Sequence, residues 1–452
     1  MERRSHVLVI GYPAQGHVGP LIKLSQQIAD QGIKVTFISE ECIYDLLLAT
    51  FSEKNQQNLM EIVSISDGVF EQENGYKDTR NIKESMSTVM PRNFEKLIKK
   101  MNGREDEKIT CVIADATTAW ALEIAEKMGI KTAMFWPSSV RGFVLGHQIQ
   151  KLIEAGIIDE NGAPLKNETI QISPNISGIN TSELIWRVPG DPIRQNIIFG
   201  YVHSSNRAIK ISNWLLCNSF YELDPLACDL IPNLLPIGPL LSSKFPGKSA
   251  GNLCKEDSTC LSWLDKQPEK SVIYVAFGSI TILSQHQCEE LARGLDLTGK
   301  PFLWVVRSDL INGSKFEYPE RAMDRGKIVK WAPQEKVLAH RSVACFLSHC
   351  GWNSTMEGIS MGVPFLCWPY FADQFHIRSY VCDVLKVGLG LDVEQNGIIS
   401  RNEIKRKIGE LLSHTRIREN TLKLKEMAEK SVNEGGSSFK NLASFVEQIK
   451  ST

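Results

Sequence analysis

The sequence predicts an α/β protein of two doubly wound, parallel-sheet domains with a cleft between them, and three observations carry that expectation. The chain has 452 residues, where a single domain commonly has about 100–150. Apolar strand-like runs alternate with amphipathic helix-like segments, the pattern of parallel strands joined by helical crossovers. Around 236–260 that alternation breaks into a Pro-, Gly- and Ser-rich stretch and then restarts, which suits an exposed linker. The division expected is residues 1–240, a linker over 241–260, a second domain over 261–436, and a closing helix over 437–452 that packs back on the first domain.

Taken in order, residues 7–10 (VLVI) form a continuous apolar run, as in a strand covered on both faces. Residues 11–19 are rich in Gly and Pro and read as a loop. Pro20 suits a helix's first turn, with Leu21, Leu24 and Ile28 along one face; Gly32 stops that helix and 35–38 return as a strand. A second βαβ unit runs from a strand at 110–114 through Asp115 and a helix carrying Ala119, Leu122, Ile124 and Ala125 to a strand at 131–136. Beyond the linker, strands are expected at 272–277, 302–306, 344–348 and 365–368, and the last fifty residues read as charged helices separated by Gly435-Gly436.

Composition removes several function classes. Hydrophobic residues make up 42% and charged residues 23%, and 51 Lys+Arg against 52 Asp+Glu leave a net charge of −1. That balance gives no electrostatic reason for a nucleic-acid or anionic-membrane partner. No window approaches the roughly 18 apolar residues of a membrane-spanning helix. The first six residues run directly into the first strand, without the longer apolar core of a signal peptide. The eleven cysteines form no CxxC pair and no metal-ligand series. A cytoplasmic monomer with no bound metal is the expectation.

Some short matches lack their context. Gly247-Lys248-Ser249 looks like the end of a phosphate-binding loop, but position 242 is Ser where Gly is needed. No GxGxxG follows the first strand, and no Asp-x-Asp pair could hold a divalent cation on a sugar nucleotide. Gly358 to Gly362 matches the GxSxG of serine hydrolases, with Asp373, Asp383 and His414 following Ser360. The preceding residues already read as a helix start, which would put Ser360 in mid-helix. A hydrolase using Ser360 remains the alternative reading.

The informative stretch is 331–374. A strand ending at Ser348 delivers His349, Gly351 permits a turn, and a helix begins near Asn353-Ser354. A helix N-terminus carries unpaired N–H groups and partial positive charge, a natural seat for phosphate. Ser354-Thr355-Met356-Glu357 equally fits a capping box. Trp331, Trp352 and Trp368 fit either core or stacking surface. In the first domain, His17 in the loop after the first strand and Asp115 at a later strand end both fall on the carboxyl edge of one sheet, where open α/β folds place their sites.

Trp331-Ala332-Pro333-Gln334, His349-Cys350-Gly351-Trp352-Asn353-Ser354, Glu357-Gly358 and Trp368 through Gln374 together resemble the plant secondary-product glycosyltransferase box. Its 44-residue span, Trp331 to Gln374, is kept without a gap. The resemblance implies a UDP-sugar-dependent transferase of the GT-B fold, two facing Rossmann-like domains with the donor mainly in the C-terminal one. Carried over, Trp331 stacks on uracil and the Ala332 backbone meets the base edge. Gln334 and Glu357 hold the ribose, and His349, Asn353, Ser354 and Ser279 bind the diphosphate. Trp352, Asp373 and Gln374 meet the sugar, with Gln374 implying glucose. His17 is then the general base and Asp115 its orienting partner in an inverting transfer.

UDP-glucose is a co-substrate on this reading, with no separate cofactor. The acceptor implied is a small lipophilic hydroxyl compound of phenolic, flavonoid or terpenoid type. Trp120, Trp136, Val140, Phe143 and Trp186, with Ala372 of the box, are the candidate acceptor contacts, chosen because aromatic walls grip flat apolar molecules. A non-catalytic UDP-sugar binder is the second alternative.

Overall fold

Residues 6–10 are buried along their whole length, so this strand must have neighbours on both sides and cover on both faces. In the computed structural model, which describes residues 5–50, 59–68, 84–103, 108–242, 252–307 and 325–451, it lies inside a seven-stranded sheet. The strands are β1 (His6–Ile10), β2 (Lys34–Glu40), β3 (Met60–Ile65), β4 (Cys111–Asp115) and β5 (Lys131–Trp136). A small antiparallel hairpin, β6 (Thr169–Ile170) and β7 (Ile179–Asn180), precedes β8 (Trp214–Cys217) and β9 (Leu234–Pro236). The order is β3-β2-β1-β4-β5-β8-β9, and every pair is parallel.

Three helices of this unit concern the site: α1 (Gln15–Asp30), α2 (Ala119–Lys127) and α3 (Pro192–Ile211). Helix α1 starts earlier than the Gly- and Pro-rich composition implied. Ala14 is its extended N-cap, and the N–H groups of His17 and Val18 both donate to the Ala14 carbonyl at 2.9 Å. His17 is therefore in a helix's first turn rather than a loop, and Pro20 sits inside the helix, where its missing N–H removes a single backbone bond.

The second unit has a six-stranded parallel sheet: β10 (Val272–Ala276), β11 (Phe302–Val305), β12 (Gly326–Val329), β13 (Val343–Ser348), β14 (Phe365–Cys367) and β15 (Gly388–Gly390). Its order is β12-β11-β10-β13-β14-β15. Helix α4 (Trp352–Met361) follows β13, and Gly362 closes it in the left-handed conformation at φ 72°, as glycine allows without strain. The final helix, α5 (Ser437–Lys450), buries Phe445, Val446 and Ile449 in the core of the first unit. There the Trp214 indole donates to Gln448 at 2.8 Å and meets Phe445 edge-on.

The two units are Met1–Thr181 with Val188–Leu253 and Ser431–Thr452, and Ser182–Arg187 with Cys254–Lys430. The chain crosses between the units after Thr181, Arg187, Leu253 and Lys430, so Ser182–Arg187, expected in the first domain, groups with the second. Residues 243–251, which include the Gly247-Lys248-Ser249 match, lie outside the described residues.

Candidate active site

In each sheet the strand order reverses once, between β1 and β4 in the first and between β10 and β13 in the second. Open α/β sheets bind ligands at the carboxyl ends of the strands flanking such a reversal. Ile10 pairs with Ala114 across the first reversal, which brings the start of α1 and the end of β4 together. His17 Nδ1 lies 2.8 Å from Asp115 Oδ2, with the carboxylate wholly buried and the imidazole 27% exposed. A carboxylate only accepts, so Nδ1 carries the proton and Nε2 of the neutral ring is the basic nitrogen.

The Asp115 carboxylate is itself held. Its Oδ1 accepts from the Thr117 N–H at 2.8 Å and from the Thr117 hydroxyl at 2.7 Å, so three bonds fix its plane. The Tyr12 ring is tilted 60° against the His17 ring at 5.4 Å between centroids and meets Tyr201 edge-on at 5.8 Å. Burial, followed by the Glu40 charge, pushes the Tyr12 phenol above its ordinary pKa. Burial does the same to Tyr201, whose hydroxyl has no protein partner; the Trp120 indole N–H is also buried without one.

Across the second reversal Ala276 pairs with Ser348, the last residue of β13. His349 follows it and lies against two glycines. A Cβ on Gly278 would come 2.5 Å from His349 Nε2, and one on Gly351 would come closer still. Gly278 also has φ 69°, a conformation other residues reach only with strain. Burial lowers the His349 pKa to about 4, against a smaller opposing effect of its hydrogen bond to the Ala276 main chain, and its Nδ1 is buried without a partner. This imidazole is neutral at physiological pH and offers a ligand a dipole rather than a charge.

Helix α4 begins at Trp352 with Gly351 as N-cap and no side-chain cap. The capping-box reading of Ser354 to Glu357 fails because both residues are already inside the helix. Their side chains bind sideways: Gln334 Nε2 donates to Ser354 Oγ at 2.8 Å and to Glu357 Oε2 at 2.7 Å. The Tyr274 hydroxyl donates to Gln334 Oε1 at 3.0 Å. Asn353 shares the first turn of α4 with its N-terminal N–H groups, and Ser279 follows Gly278 in the turn after β10.

Trp331 is partly exposed beside buried Ala332, and its carbonyl is anchored by the Asp257 N–H at 2.9 Å. Trp352 is buried, its ring tilted against that of Tyr380 at 6.5 Å between centroids. Gln374 is buried too; its Oε1 accepts the N–H groups of Tyr370 and Phe371 at 2.8 and 3.1 Å, leaving its amide NH2 to donate. Asp373 is the N-cap residue of the short helix that Gln374 opens.

The expected acceptor contacts are more dispersed. Trp136 stacks on Phe143 at 4.8 Å and gives its indole N–H to the Ser139 carbonyl; both rings, and Val140, are buried in the first unit. Trp186 is wholly buried and belongs to the second unit, whose Ala372 N–H donates to the Arg187 carbonyl at 2.6 Å. Ser360 lies inside α4 and its hydroxyl donates to the Met356 carbonyl at 2.7 Å, so the sharp turn a nucleophile elbow needs is absent. Sequence reasoning missed Thr117, Tyr12, Tyr201, Gly278 and Tyr274. Among the described residues no group of His, Cys, Asp and Glu could hold a metal ion, and no helix is long and apolar enough to cross a membrane.

The family model described as "UDP-glucoronosyl and UDP-glucosyl transferase" matches residues 207–431. UDP-glycosyltransferase 83A1 of Arabidopsis thaliana is 42% identical over 458 residues, covering 99% of this chain and 97% of that protein. A UDP-bound crystal structure of UDP-glucose:anthocyanidin 3-O-glucosyltransferase superposes with a TM-score of 0.84 at 26% identity, covering 100% of both chains. Os79 from O. sativa, also with UDP, gives 0.81 at 27% identity, covering 98% of this chain and 100% of that one.

Proposed function

This chain belongs to the plant UDP-glycosyltransferase family and is a glycosyltransferase of the GT-B fold, and we propose that it moves glucose from UDP-glucose to a hydroxyl of a small lipophilic metabolite with inversion. The reading is carried by one cluster: Gln334, Ser354 and Glu357 joined by hydrogen bonds on and beside the first turns of α4. A carboxylate at Glu357 suits a pair of ribose hydroxyls. The N–H groups of α4, with Asn353, Ser354, Ser279 and His349, suit the diphosphate. Trp331 stacks on the uracil and the Ala332 main chain reads its edge. Asp373 and the Gln374 amide meet the sugar hydroxyls, together with the Trp352 main chain.

His17 Nε2 takes the proton of the acceptor hydroxyl while Asp115 holds the imidazole and stabilises the imidazolium. The acceptor oxygen bonds to the anomeric carbon from the face opposite the leaving group. The bond from that carbon to the diphosphate breaks, and UDP leaves with the electron pair. His349 is neutral, so the charge developing on the diphosphate is met by preorganised N–H and O–H dipoles. No divalent cation is required on this account.

The acceptor class rests on the surroundings of His17. Tyr12 supplies an aromatic wall beside His17, with Tyr201 edge-on to it. The test is a panel of phenolic, flavonoid and terpenoid alcohols incubated with UDP-glucose in excess EDTA. Mass spectrometry should show hexose adducts, and proton NMR should show a β-linkage from the α-linked donor. Activity that EDTA abolishes and magnesium or manganese restores would overturn the metal-free account.

A further inference from the structure

We propose that Tyr274 is a positioning residue for the donor site, acting through Gln334 on Glu357 and Ser354; this rests on the reading that Glu357 holds the donor ribose. A carboxylate accepts hydrogen bonds and donates none. The Gln334 atom 2.7 Å from Glu357 Oε2 is therefore the amide nitrogen, and the same nitrogen is 2.8 Å from Ser354 Oγ. The amide oxygen then points the other way, 3.0 Å from the Tyr274 hydroxyl, which donates to it. Exchanging the two ends of the amide would set a carbonyl oxygen against a carboxylate. Glu357 thus sets which end of the amide faces it, and Tyr274 anchors the other end and keeps the amide in place.

The rest of Tyr274 is ordinary core. It lies in β10, is 1% exposed, and its ring stacks on Phe346 at 5.0 Å. Phenylalanine would fill that volume equally well, so packing does not account for the hydroxyl. Burial, then the nearby Glu357 charge, pushes the phenol's pKa up and keeps it a donor. A buried hydroxyl that donates to one amide transmits orientation from the sheet to the ligand face. Without it, Gln334 keeps a carbonyl with no donor and gains freedom to turn, and Glu357 and Ser354 lose their common support.

Tyr274→Phe keeps the ring and deletes the hydroxyl. The KM for UDP-glucose and the Kd of UDP should rise about five- to tenfold, as for one lost buried hydrogen bond, while kcat stays within about twofold. A UDP-glucose analogue lacking both ribose hydroxyls should show a smaller loss in Tyr274→Phe than UDP-glucose does, because Glu357 then has nothing to hold and only Ser354 is disturbed. In a Gln334→Ala background the tyrosine substitution should add no further loss. Thermal unfolding of Tyr274→Phe should stay near wild type, and a UDP Kd measured well below the unfolding transition keeps the test alive if the variant is destabilised.

An unchanged KM in Tyr274→Phe, an equal loss on the deoxy donor, or losses that multiply in the double variant would each overturn the proposal. Failure of the underlying reading looks different. Glu357→Gln would then leave UDP affinity untouched in an enzyme that still transfers glucose.

Discussion

The two units place a histidine beside the same feature of the same topology and give it opposite chemistry. In the first, His17 stands opposite Asp115 across β1 and β4, partly exposed, with one ring nitrogen committed to a carboxylate. In the second, His349 stands at the β10–β13 reversal between Gly278 and Gly351, with no carboxylate partner and a pKa lowered to about 4 by burial. A partner carboxylate makes an imidazole a better base and stabilises its protonated form. Burial between two glycines withholds the charge and leaves a neutral dipole. Strand order places the ring; its neighbours decide what the ring does.

The largest effect should come from removing the base. His17→Ala should lower transfer to an alcohol by about two to four orders of magnitude, while isothermal titration should show UDP affinity close to wild type, since the donor cluster lies in the other unit. Asp115→Ala should cost less, because the residue acts only through His17. Turnover near wild type in His17→Ala would break the comparison at its root.

Next comes the cage. Gly278→Ala puts a methyl group 2.5 Å from His349 Nε2 at a backbone φ of 69°, so the ring must leave its position or the turn must change. Donor KM should rise at least tenfold, an effect of the size expected for a lost buried donor and local strain. The same measurement on His349→Ala should give a similar loss. A normal donor KM in Gly278→Ala would mean that the glycines do not set the ring's place.

What the amino-acid sequence disclosed follows the same division between placement and neighbours. Strands β1, β4, β10 and β13 were legible because a strand buried on both faces reads as an uninterrupted apolar run. β3 and β15 were not: one lies at a sheet edge with a half-exposed pattern, and the other is the three residues Gly388–Gly390. The family was legible from the fixed spacing of its box. Tyr274 was not, because in VIYVA it reads as one more core side chain, and its role exists only through Gln334, sixty positions away in sequence. The start of α1 was misread since Gly and Pro mask a helix whose first turn is held by Ala14.

A smaller effect is expected at Gln374. Its Oε1 already accepts two main-chain N–H groups from Tyr370 and Phe371, so only its NH2 is left for a sugar hydroxyl. Glucose and galactose differ in the direction of one hydroxyl, and a site that bonds it discriminates. Gln374→His should erode the preference for UDP-glucose over UDP-galactose and lower the rate with both, because an imidazole cannot accept both N–H groups in the same geometry. Competition kinetics with the two donors checks this, and faster turnover of UDP-galactose by the wild type would overturn the glucose assignment.

The smallest effect is the pH dependence that His349 imposes on stability. Its folded pKa of about 4 lies below the ordinary histidine value because burial disfavours the cation. Between pH 4 and about 6.5 the unfolded chain therefore binds a proton that the folded one does not. Stability from this group is fully present above that window and is lost as pH falls through it. The slope is at most about 1.4 kcal/mol per pH unit, and partial exposure of the ring narrows the window over which it acts. Glu290, held to about 2 chiefly by its hydrogen bond to Arg401, loses its contribution only at lower pH, below the ordinary glutamate value, so the two are separable. Urea unfolding between pH 5 and 7 should show the slope in wild type and lose it in His349→Asn. A variant as steep as wild type would mean that His349 is not held neutral, and the contrast between the two histidines would need another cause.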